Sequence, residues 1–140
     1  MTHVRKLVLL LLAAFMAGCA TPSTLPSSPW SATIVTANFV RDGGDVRGIA
    51  DTFSFERRIY VHAAFVGVVP EPNPNRSVRI KWFNGDRLIV DRTTETIFLR
   101  SPYFVWNSTS GTALGAGPCR VEIWVDETLA ASKPFAVTGP

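Results

Sequence analysis

The sequence predicts an all-β domain, a two-sheet antiparallel sandwich of about seven strands, on three observations. From residue 31 onward apolar residues recur with a period of about two, so side chains alternate between two faces as a pleated strand requires. Clusters of Gly, Pro, Asn and Asp interrupt these runs about every 8 to 12 residues. No stretch of helical length carries apolar residues at the spacing of one helix face. With 140 residues, 46% hydrophobic and 18% charged, with nine Phe and four Trp, the chain has room for one domain and is too apolar to be disordered. Its two Cys exclude a disulfide-dense scaffold and a four-Cys zinc site.

The N-terminus stands apart from this pattern. Arg5 and Lys6 precede an apolar run from Leu7 to Ala17, shorter than the roughly 20 residues of a transmembrane helix, which marks residues 1–18 as a targeting segment. Phe15-Met16-Ala17-Gly18-Cys19 resembles the lipobox of bacterial lipoproteins, with Met16 where Leu is usual. Small residues let the backbone enter the peptidase site, and only Cys supplies a thioether. The resemblance implies cleavage before Cys19, a diacylglycerol on that thiol and attachment to a membrane. The other readings are an ordinary secretory signal and an uncleaved anchor. In the enterobacterial sorting pattern an Asp after the Cys favours the inner membrane, so Ala20 implies the outer membrane, facing the periplasm. Removing Arg5 and Lys6 leaves 12 basic and 11 acidic side chains, a formal charge of +1, which gives no reason to expect nucleic acid as a partner. Residues 19–30, rich in Pro, Ser and Thr and without charge, read as a tether, and residues 31–140 as the sandwich domain.

Along the domain, Ala32 to Val40 is the first strand, with Val35, Ala37 and Phe39 on one side and Ile34, Thr36 and Asn38 on the other. Arg41 to Gly48 reads as a turn or loop. Ile59, Val61, Ala63 and Phe65 form one face of a second strand whose opposite face carries Arg58, Tyr60, His62 and Ala64. The Pro70 to Asn75 segment is a loop, because alternate Pro cannot feed a ladder. Val78, Ile80 and Trp82 alternate with Arg79, Lys81 and Phe83, Asn84-Gly85 supplies a type I′ turn, and Arg87 to Asp91 returns. Thr93 to Leu99 and Tyr103 to Asn107 are two short strands, and Ser108 to Pro118 is a long loop. Cys119, Val121, Ile123 and Val125 face inward opposite Arg120, Glu122 and Trp124; Asp126-Glu127-Thr128 turns, and Leu129 to Val137 closes the domain.

The stretch from Gly115 to Val125, its acidic turn and the closing Lys133-Pro134-Phe135-Ala136-Val137 resemble the last hairpin of bacterial immunoglobulin-like domains, with Cys119 at a usual Tyr place and Glu127 at a common Gly place. With Trp82 in the third strand, the resemblance implies an immunoglobulin-like or fibronectin-like sandwich. It implies no activity, because such sandwiches host many functions.

Chemistry is sparse. After processing, His62 is the remaining histidine, read here as a solvent-facing strand residue, and one His with one Cys is too few for a transition-metal site. Cys119 shares the parity of three β-branched residues and so reads as buried filler; an intermolecular disulfide or redox role is the alternative. Asp126 with Glu127, Asp86 with Asp91, and Asp42 with Asp45 are carboxylate pairs in turns, read as solvated turn chemistry; Asp42-Gly43-Gly44-Asp45 lacks EF-hand spacing. No cofactor or metal is expected, and no enzyme.

One feature rises above this. From Arg57 to Arg100 eight basic residues face four acidic ones. If the third strand and the Cys119 strand are neighbours, Arg79, Lys81 and Phe83 meet Arg120 and Trp124 on one outer face. This is either a solvated sheet face or a contact surface for a protein, anionic headgroups or glycan. The expectation is a membrane-anchored, non-catalytic binding or assembly module working with another envelope protein. The alternatives are a carrier of a small apolar ligand, lipid or glycan, between the sheets, and a hydrolase with paired carboxylates.

Overall fold

Nine strands and one helical turn make up the domain in the computed structural model, which describes residues 30–41, 44–67 and 74–140. The targeting segment, Cys19 and the tether up to residue 29 lie outside the described residues, as do positions 42–43 and 68–73 of the two expected loops. The strands are β1 (Ser31–Arg41), β2 (Asp45–Ile49), β3 (Thr52–Ser54), β4 (Arg58–Val66), β5 (Asn75–Asn84), β6 (Arg87–Ile97), β7 (Tyr103–Ser110), β8 (Gly117–Val125) and β9 (Thr128–Thr138), with α1 (Gly111–Leu114) between β7 and β8. One sheet has the order β2-β1-β4-β7 and the other β3-β9-β8-β5-β6. All neighbours are antiparallel except β3 and β9, which run parallel.

The alternating pattern does the folding. Ile59, Val61, Ala63 and Phe65 of one sheet face Val78, Ile80, Trp82, Cys119, Val121, Ile123 and Val125 of the other, all buried. Fully burying each such aliphatic side chain contributes about 1.5 to 3 kcal/mol before ordering entropy is counted. Aromatic edges lock the layers: Trp82 meets Phe135 at 5.9 Å and 87°, and Trp30 meets Phe98 at 4.8 Å and 85°. Trp30, the first of the described residues, already belongs to the core.

The strand set differs from the expected one in three places, one that merges two strands and two that add one each. Arg87 to Ile97 is one continuous strand rather than two, since Asp91, Arg92 and Thr93 keep their ladder partners on β5. The Gly-rich stretch expected as a loop is a hairpin, with Arg41 opposite Asp45 and Ala37 opposite Ile49. Thr52 to Ser54 adds an edge strand beside β9. The Ser108 to Pro118 loop is likewise corrected. Strand β7 runs to Ser110, whose Oγ accepts from the Ala113 backbone N–H at 3.1 Å and caps the turn that buries Leu114.

On β1, Ala32 and Ile34 pack on the core and Ala37 is fully buried, while Phe39 is exposed. One local expectation also changes. In the β5–β6 hairpin Asn84 stays in the ladder opposite Arg87, so the two-residue loop is Gly85-Asp86 and Gly85 takes the positive φ of +56°. Asn84 Nδ2 is instead engaged by the carbonyls of Leu114, Gly115 and Ala116, tying the hairpin to the chain before β8.

Candidate functional site

The five residues singled out in sequence lie side by side on β5 and β8. In the β5–β8 register Arg79 stands opposite Trp124, Lys81 opposite Glu122, and Phe83 opposite Arg120. They share the outer face of the five-stranded sheet, and their interactions close on one another. Arg79 grips Asp91 with two hydrogen bonds, Nε to Oδ1 at 2.7 Å and Nη2 to Oδ2. The Asp91 carboxyl is held below its usual value, first by that hydrogen bond. Lys81 Nζ sits 4.3 Å over the Trp124 ring, and Arg120 Cζ lies 3.9 Å over Phe83. Glu122 accepts from Arg120 Nε at 2.9 Å and from Trp124 Nε1 at 3.0 Å.

The basic excess counted along the chain is dispersed by the fold. Of its eight members, only Arg79 and Lys81 lie on this face. Arg58 is on the other sheet with Ser108, Arg76 pairs with Asp126 at 3.4 Å, and Arg92 lines a cleft. The face is a shallow, self-paired surface, with a depression of about 150 Å³ lined by Arg79, Lys81, Trp124 and Glu127 among others.

The opposite outer face was not singled out in sequence. Strand β4 presents Tyr60 and His62 there, and β7 presents Phe104, opposite Ala64, and Trp106, opposite His62. Phe104 and Trp106 are large apolar side chains left 45% and 41% exposed, and exposed Phe39 and Ile49 extend the apolar surface towards the other edge. Phe39 lies 6.2 Å from Tyr60. Four strands spaced by about 4.8 Å make this an aromatic band roughly 15 Å across.

His62 is corrected from solvent-facing to buried, at 8% exposure. It points to the outer face as its parity requires, but Phe104 covers it at 5.4 Å, and Gly44 lies close enough that a Cβ there would stand 3.5 Å from Nε2. Nε2 is buried without a hydrogen-bond partner among the described residues, and burial lowers the imidazole below its ordinary 6.5. The neutral ring therefore belongs to the folded state. As the pH falls, the unfolded chain takes up the proton first. The stabilisation is complete above 6.5 and is lost as the pH drops through the lower folded value. The melting temperature is expected to fall between about pH 7 and pH 5, and His62→Gln to flatten that interval. Asp91, held below its usual 3.8, contributes its own loss at lower pH still.

Beside the aromatic band the sandwich is open. Strands β6 and β7 are edges of different sheets on the same side of the molecule, and between them lies a cleft of about 210 Å³. Buried Val78 and Ile80 are among its lining residues, together with Arg92, Thr94 and Thr96 of β6 and Val105 and Asn107 of β7. Asn107 Oδ1 is buried with no hydrogen-bond partner among the described residues. Tyr103 and Thr96 close one end by a 2.6 Å hydroxyl contact. Phe104 and Trp106 also border the cleft.

The remaining expected residues take simpler roles. Cys119 is free and buried, its thiol raised by burial and 3.6 Å from the Gly117 carbonyl. Asp126 and Glu127 form the β8–β9 turn with φ of +46° and +66°, and the Asp126 carboxylate accepts from the Ser77 backbone N–H at 3.0 Å. Among the described residues no three His, Cys, Asp or Glu side chains stand close enough to share a metal ion.

No protein-family model matches this chain, and no curated protein matches it. Among solved structures, an immunoglobulin-like protein from Pseudomonas aeruginosa is similar at a TM-score of 0.53 and 10% identity, over 80% of this chain and 98% of that one. A β-glucosidase from Listeria innocua is similar at a TM-score of 0.48 and 9% identity, over 79% of this chain but 16% of the enzyme. With its two packed sheets and the first of these likenesses, the chain has an immunoglobulin-like β-sandwich fold.

Proposed function

We propose that this chain is a lipid-anchored, non-catalytic binding module of the cell envelope that engages another protein through strand β7. The observation that carries the reading is the pairing of two half-exposed aromatic side chains, Phe104 and Trp106, with the cleft beside them on an unpaired sheet edge. Aromatic anchors next to a groove with an unmatched acceptor are what a protein partner's extended segment can use. The charged groups favour binding over catalysis, since Asp45, Asp91 and Asp126 each have an arginine partner. A carrier role has little room, because Trp82, Phe65 and Phe98 fill the space between the sheets and the cleft is smaller than the roughly 300 Å³ at which ligand pockets begin. The Arg79, Lys81, Phe83, Arg120 and Trp124 face is the second candidate, and a partner there has to replace the pairs those residues already make.

The anchor has its own test. Cys19→Ser is expected to accumulate as uncleaved precursor without acyl chains, read by mass spectrometry and membrane fractionation. Normal processing of that variant contradicts lipidation. The binding face is tested by crosslinking from position 106 of β7 in intact cells, where a discrete protein adduct is expected.

A further inference from the structure

The structure points to a second contact of the domain, with the bilayer itself. Resting on the lipid-anchor reading above, we infer that the end of the sandwich where β1 begins lies against the phospholipid headgroup layer, with Val66, Ile97 and Leu99 inserted.

Three observations place these residues at one end of the sandwich, Val66 on the outer side of one sheet and Ile97 on the outer side of the other. Ser31, the first residue of β1, is paired with Val66, the last of β4, so the chain arrives from Cys19 at that end. Ile97, the last residue of β6, is paired with Asn75, the first of β5, at the same end, and Leu99 follows it. Val66, Ile97 and Leu99 are 57%, 48% and 71% exposed, although all three are large apolar side chains. They stand on a firm base. Phe98 between them is fully buried against Trp30, its N–H donates to the Pro74 carbonyl at 2.9 Å, and Gly67 N–H reaches Ser101 Oγ at 3.4 Å.

Chain length selects the occupant. Ten residues separate Cys19 from Trp30, and ten residues span at most about 35 Å even when fully extended. Strand β6, with 11 residues, is itself about 36 Å long. An anchor on Cys19 therefore keeps the β1-entry end within about 35 Å of the bilayer and makes it the end nearest the attachment, while the opposite end, where Leu88 is exposed beside the Gly85 turn, lies a strand length farther along the chain path. Charge does not drive this contact. Arg76 is paired with Asp126, and exposed Arg100 is offset by Glu95 and Glu127 on the same end. The interaction is apolar insertion, of the kind that adds a second, weak membrane signal to a covalent lipid.

The test uses the full processed chain in phosphatidylcholine vesicles, with a nitroxide on Leu99→Cys or, as the far-end control, on Leu88→Cys. Cys119 is buried and is left in place. Collisions with dissolved oxygen, relative to an aqueous nickel complex, are expected to be severalfold more frequent at position 99 than at position 88. Equal, water-like accessibility at both positions in a chain shown by mass spectrometry to carry acyl groups on Cys19 overturns this inference and leaves the anchor standing. Absence of acyl groups on Cys19 overturns both.

Discussion

Trp82→Ala is expected to destabilise the domain by about 3 to 5 kcal/mol, the range for truncating a fully buried aromatic side chain. Trp82 is fully buried at the middle of the core, on the strand that both β6 and β8 pair with, and its ring meets Phe135 edge-on. Ala leaves a cavity between two sheets whose backbones are tied by ladders on either side and cannot close over it. In a domain of about 100 residues this corresponds to a fall in melting temperature of roughly 15 °C or more. Trp82→Phe is expected to cost less than Ala, because it keeps most of the ring contact and removes an indole N–H that is buried without a partner. Urea titration of both variants checks the order. A loss below about 1 kcal/mol for Ala contradicts the place of Trp82 in the core.

Much of this architecture is legible in the chain because strands declare themselves by parity. The β5 and β8 runs alternate cleanly, so Val78, Ile80 and Trp82 could be set inward and Arg79, Lys81 and Phe83 outward; the register opposite Arg120 and Trp124 then followed from the immunoglobulin-like resemblance. Where alternation fails, so does the reading. Strand β2 is a short edge whose residues pack little, β3 is three residues long with Phe53 alone buried and so too short to show alternation, and α1 is a single turn, too brief to show a helical period. Charge counted along the sequence suggested a basic surface, yet the partner that neutralises Arg79 is Asp91, 12 positions away across a hairpin. The β7 face was hidden for a different reason. In Tyr103 to Asn107 both parities are apolar, so the sequence could not say whether Phe104 and Trp106 or Tyr103 and Val105 face the core. The available signal is the run of aromatic side chains on that outer parity of β4 and β7, since a merely solvated face has no use for them.

The second large effect concerns the proposed partner. Trp106→Ser removes a 41% exposed anchor that makes no hydrogen bond among those described, so stability is expected to fall by about 1 to 2 kcal/mol, from the part of the ring that is buried, while partner affinity of the folded variant falls about thirtyfold, the loss of a 2 kcal/mol hot spot. Phe104→Ser is the weaker companion, because Phe104 also covers His62. Trp124→Ser and Arg79→Gln on the opposite face are expected to leave the affinity unchanged. The most direct measurement places a photoreactive phenylalanine analogue at position 106, and separately at position 124, in the membrane-anchored chain in living cells. The account predicts a discrete crosslinked protein adduct from position 106, lost on adding Phe104→Ser, and none from position 124. An adduct from position 124 with none from position 106 contradicts it.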